Sequence, residues 1–203
     1  KGGRVIEALA NVKAVALDKT GTITSGEFKV QNVETVGSHV SNAQLLSMAS
    51  AIEAVSTHPI ATSIVSEAKE QGIVVEASDF VQELAGEGMV GTVDGQQVLV
   101  GNRRLMERYA VQGYPTEAVE YGTEVLVAEG NVYLGRIIIA DEARPDSAEA
   151  IADLNGQDIK TVMLTGDAEA SANYIAKETG VSAVRAQLLP QDKLSVVQDI
   201  RSE

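Results

Sequence analysis

The sequence has no cysteine and no tryptophan, and aromatic residues make up only 3% of its 203 positions. Without cysteine there is no disulfide, no thiolate nucleophile and no thiolate metal site. The redox compartment stays open. With so few rings, the core has to be aliphatic, built from Val, Ile, Leu and Ala. Positive charge is also scarce: 16 Lys and Arg stand against 29 Asp and Glu, a net charge of −13. That balance disfavours non-specific binding to nucleic acid or to anionic membranes, so no nucleic-acid partner is expected. It leaves room for a local basic pocket around a phosphate. No run approaches the roughly 18 apolar residues of a membrane span; the best are Val12–Leu17 and Ile137–Ala140. The start, Lys1-Gly2-Gly3-Arg4, lacks the apolar stretch of a signal peptide. A soluble chain is expected, and neither end carries a cap or tail that would mark it as the natural terminus of a complete protein.

What is present is ordinary globular composition, 44% hydrophobic and 22% charged. The length allows one or two domains with a sizeable core. Val12–Asp18 and Ile159–Asp167 are short apolar runs that each end in Asp. Both read as strands buried on two faces, as in a parallel sheet. In open parallel sheets ligands meet the carboxyl ends of strands, and Asp18 and Asp167 fall there. Helices are expected from Pro145 through Leu154, from Ala168 to Glu178 with Gly180 as stop, and over Gln191–Arg201.

The middle differs. Ser41 and Gln44 form a capping box for a helix over Asn42–Val55, and Pro59 opens another that ends by Gly72. Gly91–Val93 and Gln96–Val100 flank Asp94-Gly95, a hairpin signal, and Glu124–Ala128 and Val132–Ile138 flank a second turn. The expected architecture is α/β: a parallel-sheet domain, residues 1–24 and 138–203, split by an inserted α+β domain, residues 25–137. The insert is expected to be an antiparallel sheet with helices on one face. Two crossings between the domains suit a hinge.

Asp18-Lys19-Thr20-Gly21-Thr22-Ile23-Thr24 places a carboxylate at a strand end before a loop of Thr and Gly. Amides and hydroxyls of such a loop can donate to phosphate oxygens, while the carboxylate can bind Mg²⁺ or attack phosphorus. Asp-x-Thr alone is as readily an ordinary turn with a solvated Asp. The seven residues together resemble the phosphorylation signature of P-type ATPases. Thr165-Gly166-Asp167, Asp141-Glu142-Ala143-Arg144-Pro145 and Leu188-Leu189-Pro190-Gln191-Asp192-Lys193 resemble three further motifs of that family, in its order. In the insert, Glu53, His58-Pro59, Gly86-x-Gly88 and Asn102 resemble the nucleotide-binding signature of the heavy-metal-transporting branch. Taken singly, His58 reads as a surface or cap residue and Gly-x-Gly as a turn.

The resemblance implies a haloacid-dehalogenase-like, Rossmann-type parallel sheet and a set of roles. Asp18 is the nucleophile for the γ-phosphate of ATP. Lys193 neutralises the transferring group, Thr165 and Gly166 hydrogen-bond its oxygens, and Lys19 and Asp167 complete the catalytic set. Asp18 and the Thr20 carbonyl hold Mg²⁺. Glu53 and His58 meet the adenine, and Gly86, Gly88 and Asn102 also contact the nucleotide. Related phosphatases carry a second Asp where this chain has Thr20, and its loss slows hydrolysis of the phosphoenzyme. The implied parent is a membrane protein exporting zinc, cadmium or copper. This chain would be its cytoplasmic unit, monomeric in isolation, with membrane and actuator domains elsewhere. A later Gly-Asp-Gly-x-Asn-Asp motif of the family is not in the sequence, which makes a nucleotide-binding module without turnover of its own the alternative. A capped phosphatase is a third reading. His39 has no matching context and reads as a solvated loop residue; Arg103-Arg104 reads as a solvated helix start, and Met89 and Met163 as core.

Overall fold

The computed structural model describes residues 10–37, 40–75 and 77–202. The readings of Lys1-Gly2-Gly3-Arg4 and His39 lie outside them. The described residues divide into two compact units, one made of those up to Glu27 together with those from Asp141 onward, the other of Phe28–Ala140. The sequence reading placed the divisions after 24 and after 137.

The first unit holds a three-stranded parallel sheet of order β1-β8-β9. Its strands are β1 (Ala14–Asp18), β8 (Lys160–Leu164) and β9 (Ala183–Arg185). Strand β1 lies beside β8 in a register that sets Asp18 opposite Leu164, so both carboxyl ends open on the same edge. Helices α4 (Ser147–Gly156), α5 (Glu169–Thr179) and α6 (Asp192–Ser202) follow the strands. Helix α5 ends where Gly180 adopts a φ of 75°, a left-handed stop that glycine takes without a Cβ penalty. Ile23, Ile151, Met163, Ala172 and Ile175 form the core between sheet and helices.

The second unit is a six-stranded sheet of order β2-β7-β6-β5-β4-β3. Its strands are β2 (Thr24–Thr35), β3 (Phe80–Leu84), β4 (Gly88–Val93), β5 (Gln96–Gly101), β6 (Thr123–Glu129) and β7 (Val132–Ala143). The β4–β5 and β6–β7 hairpins fall where the turn residues put them; Asp94 and Gly95 both take positive φ, as a two-residue hairpin requires. Helices α1 (Asn42–Glu53) and α2 (Pro59–Glu70) cover one face. The capping box of α1 is formed: Gln44 N donates to Ser41 Oγ at 3.2 Å and Ser41 N to Gln44 Oε1 at 2.9 Å.

Strand alternation sorts the core. Val98, Val100, Val125 and Val127 face α1 and α2, whereas Leu99, Leu126 and Ala128 face the other way. There they meet Leu105 and Met106 of a short helix, α3 (Arg103–Arg108). The expectation of helices on one face is therefore corrected. The opposite face of the central strands is as apolar as the first, and α3 with the segment after it buries it. Arg103 is likewise not a solvated helix start. It donates to Glu124 Oε1 at 2.7 Å and to the Glu117 carbonyl at 2.7 Å, and its guanidinium lies 5.9 Å from the centre of the Tyr114 ring. Met89 and Met163 are buried, as read.

Candidate functional site

In the first unit, Asp18 is the last residue of β1, and Thr20 and Gly21 turn the chain away from the strand direction, Gly21 with a φ of 75°. The Asp18 side chain is half exposed, and Lys193 Nζ, on the first turn of α6, donates to its Oδ1. Chain folding brings together two residues 175 positions apart. Beside them, Thr165 is buried just past the end of β8. Its hydroxyl accepts from Asp167 N at 3.1 Å, its amide donates to Arg185 O at 3.0 Å, and its carbonyl accepts from Leu188 N at 3.0 Å. A Cβ at Gly166 would sit 3.2 Å from Leu188 O, so the loop is closely packed there.

Lys19 behaves differently from its neighbour. Its side chain is only 6% exposed and points away from solvent. Its ammonium lies 2.7 Å from Asp167 Oδ2 and 3.8 Å from Asp141 Oδ2. Asp141 in turn accepts from the Thr24 hydroxyl and, at 3.0 Å, from Gly26 N. Such charge-assisted contacts fix both ends of the loop after Asp18. Sequence reasoning singled out Lys19 and Asp167 but not their pairing. It quoted Asp141 only within a motif. The signal available was a lysine beside an apolar run, which has to find a carboxylate if it is buried.

In the second unit, a cavity of about 300 Å³ is lined by Glu53, His58, Gly86, Gly88 and Asn102, all five residues that the sequence pattern grouped. That volume is at the lower end of small-molecule sites. Glu53 arrives from the last turn of α1. His58 caps α2, with Pro59 at the first helical position, and His58 Nδ1 accepts from Ile60 N at 3.2 Å. The hydrogen bond assigns the ring proton of the neutral imidazole to Nε2, the nitrogen left for a ligand. Both atoms of the Asn102 amide are engaged. Oδ1 accepts from Arg104 N at 3.0 Å, and Nδ2 donates to Gly86 O at 2.8 Å.

The two glycines differ in kind. Gly86, at a φ of 75°, has nothing within 4 Å of where a Cβ would stand. At Gly88 a Cβ would meet Val100 O at 2.3 Å, and at its partner Gly101 one would meet Glu87 O at 2.3 Å and Leu105 Cδ2 at 2.7 Å. Gly88 and Gly101 therefore permit close approach of two strands, whereas Gly86 leaves the cavity wall open. Gly101→Ala should cost about 3 kcal/mol of stability, since backbone on one side and packed core on the other block relief. Urea unfolding of the chain checks this; a loss under about 1 kcal/mol would mean the strands separate freely there.

Electrostatically the cavity stands out for Glu53. Burial pushes its carboxyl up from 4.5 to about 7, and the nearby Glu83 carboxylate adds to the effect. The side chain is 7% exposed. A buried carboxyl that stays partly protonated near pH 7 can donate as well as accept a hydrogen bond.

A parallel sheet with Asp at its first strand end, a facing Lys and a Thr-Gly-Asp loop defines the class. The chain belongs to the haloacid dehalogenase-like hydrolase family, whose model matches residues 12–203. Within that class it is similar, along its whole length, to metal-transporting ATPases. It is 39% identical to the cadmium, zinc and cobalt-transporting ATPase of Bacillus subtilis, covering 100% of this chain and 28% of that protein. It is 41% identical to the zinc-transporting ATPase of Synechocystis, covering 98% of this chain and 27% of that protein. A solved zinc-transporting PIB-type ATPase in its E2.Pi state superposes with a TM-score of 0.83 at 34% identity, over 94% of this chain and 32% of that one. The chain thus spans about a quarter to a third of the length of these relatives. Among the described residues no helix is long and apolar enough to cross a membrane.

Proposed function

We propose that the chain is the cytoplasmic ATP-binding and autophosphorylating unit of a heavy-metal-exporting P-type ATPase whose membrane and actuator domains lie outside it. ATP bound in the cavity of the second unit gives its γ-phosphoryl group to Asp18. A carboxylate oxygen of Asp18 bonds to phosphorus as the bond to the bridging oxygen breaks, leaving an aspartyl phosphate and ADP. The observation that carries the reading is the Asp18–Lys193 pair at the mouth of the sheet. It sets a nucleophile beside a fixed cation able to balance charge on the moving group. The buried Thr165, with the Asp167 amide donating to its hydroxyl, holds the neighbouring strand end in shape, and the phosphoryl oxygens would meet it there.

Asp18 with the Thr20 carbonyl would hold Mg²⁺. Among the described residues no group of three His, Asp or Glu gathers to hold a metal. Mg²⁺ commonly takes only one or two carboxylates, its other positions going to phosphate oxygens and water, so a donor set this sparse fits. When bound, the ion would supply positive charge to offset that of the phosphate oxygens. The ATP fit rests on the cavity: a carboxyl at Glu53 that burial keeps partly protonated near pH 7, an imidazole N–H at His58 and open backbone at Gly86 suit a flat heterocycle with donors and acceptors on its edge. The transported ion proposed is zinc, cadmium or copper, all of them named among the relatives.

Titration of the chain with ATP, followed by NMR, tests the nucleotide half. Saturable shifts are expected at Glu53, His58, Gly86, Gly88 and Asn102. His58→Gln should weaken binding about tenfold, the worth of one hydrogen bond in a partly desolvated site. A folded protein with no saturable shifts would sink this reading and bring the capped phosphatase forward.

A further inference from the structure

The loop residues Gly86–Gly88 form one wall of the cavity, and α3 holds them from both of its ends. At the start of the helix, Asn102 Nδ2 donates to Gly86 O and Asn102 N to Glu87 O, each at 2.8 Å. At its other end, Arg108 Nε and a terminal nitrogen each donate to one oxygen of Glu87 at 2.6 Å, a two-pronged pair of matched planes. Leu105 and Met106 anchor the helix in the core, so it is a rigid mount. Nothing packs against Gly86 itself, where a Cβ would meet open space. Between the strand ends at Leu84 and Gly88, the loop's position therefore depends on these tethers. Glu87 faces the cavity, whereas Arg108 does not line it. The Arg108 hydrogen bonds also hold the Glu87 carboxyl below the usual carboxylate range.

We propose that Arg108 is a positioning residue for the nucleotide: by locking Glu87 it fixes the Gly86–Gly88 backbone against which the ligand lies. This rests on the reading of the cavity as a nucleotide site. Because the tether acts on the wall and not on the ligand's phosphates, its loss should weaken binding of ATP and of adenosine alike. Arg108 is 56% exposed, so its replacement leaves the core untouched.

The test is calorimetric titration of wild type, Arg108→Ala and Arg108→Lys with ATP and, separately, with adenosine. Arg108→Ala should bind both about fivefold more weakly, the upper range for an exposed pair of good geometry. Arg108→Lys should recover less than half of the loss, since a point charge cannot reproduce the fork. In a Glu87→Gln background, Arg108→Ala should add little. Hydrogen exchange at the Glu87 amide, bonded at 2.9 Å to Leu84 O, should quicken in Arg108→Ala. Unchanged affinity in Arg108→Ala would overturn the proposal. So would a loss confined to ATP, which would make Arg108 a direct phosphate contact. A wild type that binds neither probe overturns the nucleotide reading itself and this one with it.

Discussion

If the proposed function holds, Asp18→Asn in the proposed parent transporter will leave no acid-stable phosphoenzyme after incubation with ATP and Mg²⁺. The change is nearly isosteric at a half-exposed side chain, so it tests chemistry and not folding. A carboxamide oxygen is too poor a nucleophile to displace ADP. Lys193 loses an ion-pair partner, but an exposed pair contributes at most about 1 kcal/mol, so the melting temperature should move little. The cavity belongs to the other compact unit, and ATP should bind the variant as it binds wild type. Binding intact with phosphorylation abolished is the pattern expected. Acid-quenched phosphorylation with labelled ATP reads one arm and titration the other. A normal level of phosphoenzyme in the variant would remove Asp18 as the acceptor. Binding lost together with phosphorylation would instead point to a folding defect.

Much of the site could be read from the sequence because its parts sit at punctuated places. The strand before Asp18 appears as the apolar run Ala14–Leu17, though it is only half-buried, with Ala16 exposed, and not buried on two faces as its composition suggested; the capping box at Ser41 and the stop at Gly180 mark helix ends without ambiguity. His58 was legible twice, as a cap and as one member of a spaced set, and it serves as the cap while lining the cavity. What the sequence could not carry is pairing between distant residues. Strand β2 lacks clean alternation, with Lys29, Gln31 and Asn32 spaced among Phe28, Val30 and Val33, and its place next to β7 is a tertiary fact. The burial of Lys19 depends on Asp141, 122 residues further on, and on Asp167. Gly88 lines the cavity and also lets two strands come close, and spacing alone does not reveal the second role. Arg103 and Arg108 carry no local sign of what they hold, since their partners Glu124 and Glu87 each lie 21 residues away in sequence.

Glu53→Gln should stabilise the second unit, and by an amount that depends on pH. With its folded-state value raised to about 7 from 4.5, Glu53 keeps its proton in the folded chain over a range where the unfolded chain has released it. Between about pH 4.5 and 7 the native state therefore binds more protons, and stability falls as pH rises through that window. The full penalty is present above about pH 7 and absent below about 4.5. A separation of this size corresponds to about 3 kcal/mol of differential interaction. Gln keeps the shape, a donor and an acceptor, and has no charge to desolvate. The variant should thus match wild type near pH 4.5 and exceed it by about 3 kcal/mol at pH 8, and the difference cancels every other titrating group. Tyrosine fluorescence gives the readout: the chain has no Trp, and four of its five tyrosines, Tyr109, Tyr114, Tyr121 and Tyr133, lie in the second unit. Urea titrations at the two pH values supply the free energies. A variant advantage that is equal at pH 4.5 and pH 8 would mean that Glu53 ionises at its ordinary value and that the cavity is wetter than its burial implies. An advantage that grows with pH would place in the cavity floor a carboxyl held neutral at a cost in stability, the kind of cost that functional sites accumulate.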